Sequence, residues 1–378
     1  MLLFRFVILL LIFNACQSQV QKVESSDQSE PISKPLIKEI TPTKVDTTFR
    51  FTSRIGIIFE DSQGNIWIVS KEEGLCKYDG AHFTYYGEKQ GLGAVRAIYE
   101  DQKGRIYFGL DRAVSVLDAS ALTTIYPKKE SLLITESLST TEDDFEAVWK
   151  QEQAHFWFSA FNKNGVYRFD GAKLVHLTLP VPDNYPKYDE NGYHPEHGYD
   201  LYAVYGIYKG PDDHLYFGTA GAGLFRYDGQ SIIGINEDIE KGVVRAIHKD
   251  QTGMLWFGNN ALGIIQYDGQ QLTNFSKQRA LFKEGLAGAL DILEDKEGRL
   301  WFATYDAGLW RYDPRADRQG SFSFVARPED VVSFTQEDGL STNTITCLLE
   351  DGQGRLWVGT ERGDVFIFTD GHFEQFFR

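Results

Sequence analysis

ILEDKEGRLWFATYDAGLWRYD (Ile292 to Asp313) and LLEDGQGRLWVGTERGDVFIF (Leu348 to Phe368) are two copies of one phrase: an apolar run, an Asp-x-x-Gly turn, an aromatic strand, a short loop and a further strand. The phrase recurs as IHKDQTGMLWFGNNALGIIQYDG (Ile247 to Gly269) and IFEDSQGNIWIVSKEEGLCKYDG (Ile58 to Gly80). Looser copies are IYEDQKGRIYFGLDRAVSVLD (Ile98 to Asp118), VWKQEQAHFWFSAFNKNGVYRFDG (Val148 to Gly171) and IYKGPDDHLYFGTAGAGLFRYDG (Ile207 to Gly229). The central aromatic falls at Trp67, Tyr107, Trp157, Tyr216, Trp256, Trp301 and Trp357, at steps of 40, 50, 59, 40, 45 and 56 residues. Self-similarity on this scale belongs to solenoids, arrays and propellers.

Each unit closes with a fourth strand, such as HFTYY (His82 to Tyr86) or HFEQFF (His372 to Phe377), reached through a Tyr-Asp-Gly turn. Glycine at these corners supplies the positive φ that tight turns require, and aspartate tolerates the turn beside it. Four antiparallel strands per repeat is propeller grammar, in which radial sheets pack through buried aromatics. A solenoid would need polar capping repeats at its ends, and none is present, whereas a closed ring protects its own edges. The prediction is all-β: a single seven-bladed β-propeller of four-stranded antiparallel blades over residues 48–378. TFRF (Thr48 to Phe51) also reads as a strand, which leaves the closure of the ring open. The 27 Phe, 19 Tyr, 7 Trp and 36 Gly against only 2 Met agree with aromatic strands punctuated by turns.

MLLFRFVILLLIFNA (residues 1–15) places one Arg ahead of an apolar run too short for a comfortable membrane span, so it reads as a signal peptide. Phe13-Asn14-Ala15-Cys16 is similar to a bacterial lipobox, with small Ala15 at the cut and Cys16 as the thiol that takes the lipid. Residues 16–47 are poor in aromatics and rich in Ser, Gln, Lys, Glu and Pro, and read as a disordered tether. The chain is thereby expected in the cell envelope, lipid-anchored and facing the periplasm or the exterior. Cys76 and Cys347, each inside an apolar strand, are expected as free packing thiols. A formal charge of −16 argues against a phosphate-binding surface, which excludes nucleic acid as a partner.

GLSTNTITCLLEDGQGRLWVGT (Gly339 to Thr360) resembles the recurring phrase of the two-component regulator propeller family, a Gly-Leu-Ser-x-Asn segment followed by an apolar strand and Asp-x-x-Gly-x-Leu-Trp-x-Gly-Thr. The resemblance covers roughly Phe51 to Arg378 and draws its specificity from repetition. It implies the periplasmic sensor region of a signalling system, in many members one that detects carbohydrate. The chain departs from the usual double-propeller sensor in having about half the repeats, and it stops at Arg378 with no second membrane span, dimerisation helix or kinase region. Any phosphoryl signal is therefore expected to come from an envelope partner.

The loops after the aromatic strands and the connections between blades share one face, and loop-rich ends of rigid scaffolds are where ligands gather. Three long inserts, Pro127 to Asp144, Thr178 to Asp200 and Ser276 to Ala287, fall there, while Pro314 to Asp330 lengthens a turn on the opposite face. One position of the innermost strand reads Gly56, Arg96, Glu146, Tyr205, Arg245, Leu290 and Thr346 while its neighbours stay small or apolar, which marks it as channel lining. Loop tips add Asp111, Arg112, Asn162, Asn260, Tyr305, Asp306, Glu361 and Arg362. The insert before the fourth blade adds Tyr188, Tyr193, His194 and His197 among carboxylates, aromatic faces and acceptors that suit a sugar. The expected ligand is a glycan or another small polar molecule. A hydrated channel and a loop pinned by its own tyrosines are the structural alternatives.

His194-Pro-Glu-His197 is not the helical arrangement that presents two imidazoles to zinc. The repeated Asp61, Asp101, Asp250, Asp295 and Asp351 stand one per turn and cannot supply the six to eight oxygens of a calcium site. No metal or cofactor is expected. A binding and sensing role leads; the alternatives are a propeller lyase or hydrolase using carboxylates with His194 or His197 at the channel mouth, and a protein-interaction scaffold.

Overall fold

The computed structural model describes residues 36–39, 43–45, 50–92, 94–110, 113–119, 121–125, 135–137, 156–160, 163–170, 174–181, 200–210, 213–229, 231–235, 242–278, 288–315 and 331–376. Seven sheets form, one per repeat, in the predicted seven-bladed propeller. Blade 1 is built from Ile55–Glu60, Ile66–Ser70, Gly74–Tyr78 and Phe83–Tyr86, and blade 7 from Ile345–Glu350, Leu356–Thr360, Val365–Thr369 and His372–Gln375. The innermost strands between them include Ala97–Glu100, Val204–Lys209, Val244–Lys249 and Ala289–Glu294. The innermost strand of blade 3 falls outside the described residues. That blade shows Phe156–Ser159, Val166–Phe169 and Leu174–Thr178, with Thr135–Ser137 added to its outer edge in parallel.

Seven hydrophobic clusters fill the seven boundaries between blades. The boundary between blades 7 and 1 is one of them, so the ring closes. Closure needs no exchanged strand, since both blades are complete in themselves. Phe51, 1% exposed, is wedged into that seam rather than paired as a strand of blade 7. Phe376 reaches across the same seam, its ring 4.6 Å from Trp357 and 5.0 Å from Tyr78.

The reading of 16–47 as an unstructured tether is corrected at two places. Leu36–Glu39 pairs antiparallel with the outer strand of blade 2, and Thr43–Val45 with the outer strand of blade 1. An argument from apolar content misses this, because a blade's outer edge offers unpaired amides and carbonyls that any extended segment can satisfy.

The repeated aspartates do more than turn the chain. Asp351 accepts backbone amides of Gln353 and Arg355 on Oδ1, and on Oδ2 the indole N–H of Trp357 at 2.8 Å and Nε of Arg355 at 2.7 Å. Asp61, Asp250 and Asp295 bind Trp67, Trp256 and Trp301 in the same way, each at 2.8 Å, and Asp101 takes the hydroxyl of Tyr107 at 3.1 Å. A carboxylate six residues ahead of the central aromatic thus satisfies both the turn and the one polar atom of a buried ring. Blades 3 and 4 carry Gln151 and Gly210 at that place.

A second ring of bonds links blade to blade. Glu60, Glu100, Glu294 and Glu350, each just before a clamp aspartate, accept the amides of Gly352, Ser62, Gln251 and Lys296, each just after the clamp aspartate of the preceding blade. The Glu60 bond crosses the closing seam. Blades 3, 4 and 5 carry Lys150, Lys209 and Lys249 at this position, which divides the ring into a latched arc and an arc without the glutamate latch. The Tyr-Asp-Gly turns are self-contained: the hydroxyls of Tyr78 and Tyr267 donate to the carbonyls of Gly80 and Gly269, and Asp79 and Asp268 cap the amides that follow.

Candidate functional site

The innermost strands carry register shifts at Ile55/Ile57, Val204/Gly206, Val244/Ile247, Ala289/Asp291 and Ile345/Cys347. The position read from the sequence as channel lining lies inside this bulge, at Gly56, Tyr205, Arg245, Leu290 and Thr346. A bulge drops a residue from the ladder and re-aims its side chain. That is why residue type varies here without harm to the sheet. Arg96 holds the equivalent place in blade 2, its amide donating to Gly109 at 2.8 Å.

At the same end, in blades 1, 5, 6 and 7 the first residue after the aromatic strand ties back to the start of its own innermost strand: Lys71 N–H to Arg54, Asn260 to Val243, Tyr305 to Gly288 and Glu361 to Thr344. The mouth of the channel is therefore framed by a fixed backbone collar. Below it, Thr304 Oγ1 donates to the Gly308 carbonyl at 2.6 Å, and Thr360 Oγ1 accepts the Asp364 amide at 3.2 Å. These hydroxyls close the loops from inside.

Charge is concentrated at this mouth. Burial, and then the nearby charge of Arg245, lower the affinity of the Arg54 guanidinium for its proton; Cys347, Glu361 and Tyr305 pull the other way. Arg245 is lowered by burial as well, and its guanidinium lies 5.0 Å from the centre of the Tyr205 ring. Lys71 has an open surface but a crowded one: desolvation, followed by the charges of Arg54, Arg245 and Arg96, lowers its ammonium group to about 8. Four cations from blades 1, 2 and 5 thus influence one another across the channel, in a chain whose formal charge is −16. On the wall below, burial raises the Asp291 carboxyl to about 6, even though it accepts the amides of Leu348 at 2.8 Å and Ile292 at 2.9 Å.

The sequence-predicted residues divide. Arg96, Tyr205 and Arg245 belong to the mouth, and Glu361 and Tyr305 act electrostatically on Arg54. Tyr305 is 58% exposed, a bare ring at the rim. Asn260 and Arg362 serve their loops: Asn260 Oδ1 accepts the Val243 amide at 2.6 Å, and Arg362 Nη1 donates to the Ser341 carbonyl at 3.2 Å. Asp306 takes φ +66, a left-handed conformation that aspartate tolerates, and its amide is held by Thr344. Cys16, Asp111, Arg112, Glu146, Asn162, Tyr188, Tyr193, His194 and His197 lie outside the described residues. Arg54 and Lys71 escaped the sequence reading. Lys71 stands four residues after Trp67, as Asn260, Tyr305 and Glu361 stand after theirs, so aligning blade 1 in full would have exposed it.

Cys76 and Cys347 are free and buried, as expected, and burial pushes both thiols up to about 12.

Residues 288–306 and 339–362 match the family model for the two component regulator propeller. The chain carries two component regulator propeller repeats. No curated protein matches it in sequence. Among solved structures, it is similar to an extracellular domain ascribed to a one component system of B. thetaiotaomicron, with a TM-score of 0.55 and 20% identity over 83% of this chain and 38% of that one. A second extracellular domain, ascribed to a hybrid two component system of the same organism, gives a TM-score of 0.56 and 18% identity over 90% of this chain and 49% of that one. The chain therefore spans less than half the length of these two structures. Virginiamycin B lyase from Staphylococcus aureus gives a TM-score of 0.57 and 15% identity over 87% of this chain and 98% of that one. At such identities the likeness is one of fold.

Proposed function

We propose that this chain is an extracytoplasmic sensor propeller, tethered to the membrane through Cys16, which binds a small polar ligand such as a glycan at the loop-rich mouth of its channel. The bound state would pass to an envelope partner in a two-component-type signalling or uptake system. The observation that carries this reading is the convergence of Arg54, Lys71, Arg96, Tyr205 and Arg245 from blades 1, 2, 4 and 5 on one mouth, at bulged or loop positions where the fold itself does not need them. The two component regulator propeller repeats and the fold shared with extracellular domains of signalling systems support the sensor role.

Calorimetric titration of the purified propeller with a panel of oligosaccharides tests the ligand. Saturable heat from at least one compound is expected; silence across the panel from a folded sample defeats the reading. Incorporation of labelled fatty acid, lost in Cys16→Ser, tests the anchor. The shared fold of virginiamycin B lyase raises an enzymatic reading, but among the described residues of this mouth the arginines stand beside Glu361 and no histidine. His248 sits instead at the far end of its strand, 3.3 Å from Glu294.

A further inference from the structure

Blades 7 and 1 are last and first in chain order, so theirs is the one seam that the chain does not cross by passing from blade to blade. Elsewhere the chain entering a blade lies against the loop of the blade it has left. The carbonyl of Tyr202, ahead of blade 4, accepts the amide of Gly165 in blade 3 at 3.2 Å, and that of Asn343, ahead of blade 7, accepts the amide of Gly308 in blade 6 at 2.7 Å. At the closing seam residues 51–53 take this part. Phe51 fills the seam, and its carbonyl lies so close to the blade 7 loop that a β-carbon on Gly363 would collide with it. On the blade 1 side, the Thr52 amide and hydroxyl donate to the Glu73 carboxylate at 3.1 and 2.5 Å, and the hydroxyls of Ser53 and Ser70 bond at 2.6 Å.

Ahead of this stitch the chain is paired to the rim of the ring, Thr43–Val45 on the outer strand of blade 1 and Leu36–Glu39 on that of blade 2. We infer that the N-terminal segment is a releasable clasp: its two edge strands hold residues 51–53 across the seam between blades 7 and 1, and stripping them from the rim loosens that seam. The inference goes beyond the ligand-binding reading and does not rest on it. Coupling follows from length. Six residues lead from Val45 to Phe51, a reach of at most about 20 Å, so the pairing of the strap limits where Phe51 stands. Release follows from place: runs of four and three paired residues, on blades that are four-stranded without them, open at lower cost than a strand inside a blade. A grip on the chain ahead of Leu36 loads the blade 2 strand first, the blade 1 strand next and Phe51 last, an order-to-disorder change of one segment. The stitch leads straight into the mouth, because Arg54 follows Ser53 and its carbonyl holds the Lys71 amide of the collar.

Amide hydrogen exchange on the full chain, read segment by segment, tests the clasp. In the native chain Leu36–Glu39 and Thr43–Val45 are expected to exchange more slowly than an unpaired chain. Ile37→Pro with Lys44→Pro breaks both edge strands, since proline has no amide to donate and fixes its own φ. That variant is expected to exchange at least tenfold faster at residues 51–54 and in Ile55–Glu60 and Ile345–Glu350, with Val204–Lys209 and Val244–Lys249 unchanged. The converse is a lock: Ile37→Cys with Thr123→Cys, and Lys44→Cys with Thr84→Cys, each a directly opposed pair within disulfide reach. Oxidised, the locked chain is expected to exchange at least tenfold more slowly at residues 51–54 than the same variant reduced. If the edge strands of the native chain exchange as unpaired chain, or the proline variant keeps native rates at the seam, the strap is an ornament and the inference falls. An equal rise in every blade means general destabilisation, and the inference falls again. If the proline variant does not fold, the lock decides alone: equal exchange in its oxidised and reduced forms overturns the clasp.

Discussion

Asp351 is 1% exposed and receives four donors, so its carboxylate is held in the ionised form by its surroundings. Burial alone would raise it, but the Trp357 indole, the Arg355 amide and the Arg355 guanidinium outweigh that and keep it below the usual carboxylate range. Removing it strands the indole N–H of the buried Trp357 and takes the acceptor from two turn amides. Asp351→Ala is expected to cost about 2–3 kcal/mol in denaturant unfolding, and Trp357→Phe about 1 kcal/mol, with the double variant less than additive. A carboxylate depressed in the folded state gives stability that is full above its unfolded value and is lost as pH falls through the folded one. The thermal midpoint should therefore drop on acidification below about pH 4, less steeply in Asp351→Asn. Asp291 has the opposite sign. Burial raises its carboxyl to about 6, so the folded state binds the extra proton and gains stability as pH falls from 7 to 5. The difference in melting temperature between the native chain and Asp291→Asn should move in favour of the native chain across that window; a constant difference would place Asp291 in an ordinary solvated state.

At the level of the element, four aromatic strands carry a glycine two positions after the ring, at Gly109, Gly218, Gly258 and Gly359, where Val69, Ser159 and Ala303 stand in the other three. A β-carbon on Gly258 would stand 2.2 Å from the carbonyl of Ala289 on the innermost strand of the next blade, and one on Gly218 would stand 2.5 Å from the carbonyl of Val244. Gly258→Ala is expected to destabilise by about 1–3 kcal/mol, since the blade, not a side chain, must move. Unfolding midpoints measure it directly, and a neutral result would mean that the blades slide freely. The innermost strand shows the complementary logic: its bulge frees a residue from the ladder, and that freedom is where Tyr205 and Arg245 reside.

At the scale of the molecule, the ring holds because every blade is packed between two others. Closure rests on side chains and the Glu60 latch, so the seam between blades 7 and 1 is a site where the ring can open. Phe376→Ala is expected to cost about 2 kcal/mol, a partly exposed ring losing less than a fully buried one. Amide exchange should then rise first in Ile55–Glu60 and Ile345–Glu350, before blades 4 and 5. A uniform rise in all blades would show that the seam has no identity of its own.

Periodicity alone determined the seven blades, the strand order within each and the turns, because those depend on short-range chemistry that repeats: glycine for positive φ, aspartate for the turn, alternating apolar residues for the two faces of a sheet. It also picked the bulge position out as special, from variety where packing asks for none. The role of the clamp aspartates was only half legible, since the turn is local while the indole that completes the clamp is six residues away and inside a seam. Lys71 was legible only through its register four residues after Trp67, and Arg54 stayed hidden because nothing in its own neighbourhood distinguishes a channel cation from a solvated one. Their meaning comes from Arg96 and Arg245, about 40 and 190 residues further along the chain, and only closure of the ring brings those charges to one axis. The strands at Leu36–Glu39 and Thr43–Val45 were decided in the same way, by an open blade edge that no count of their own residues contains.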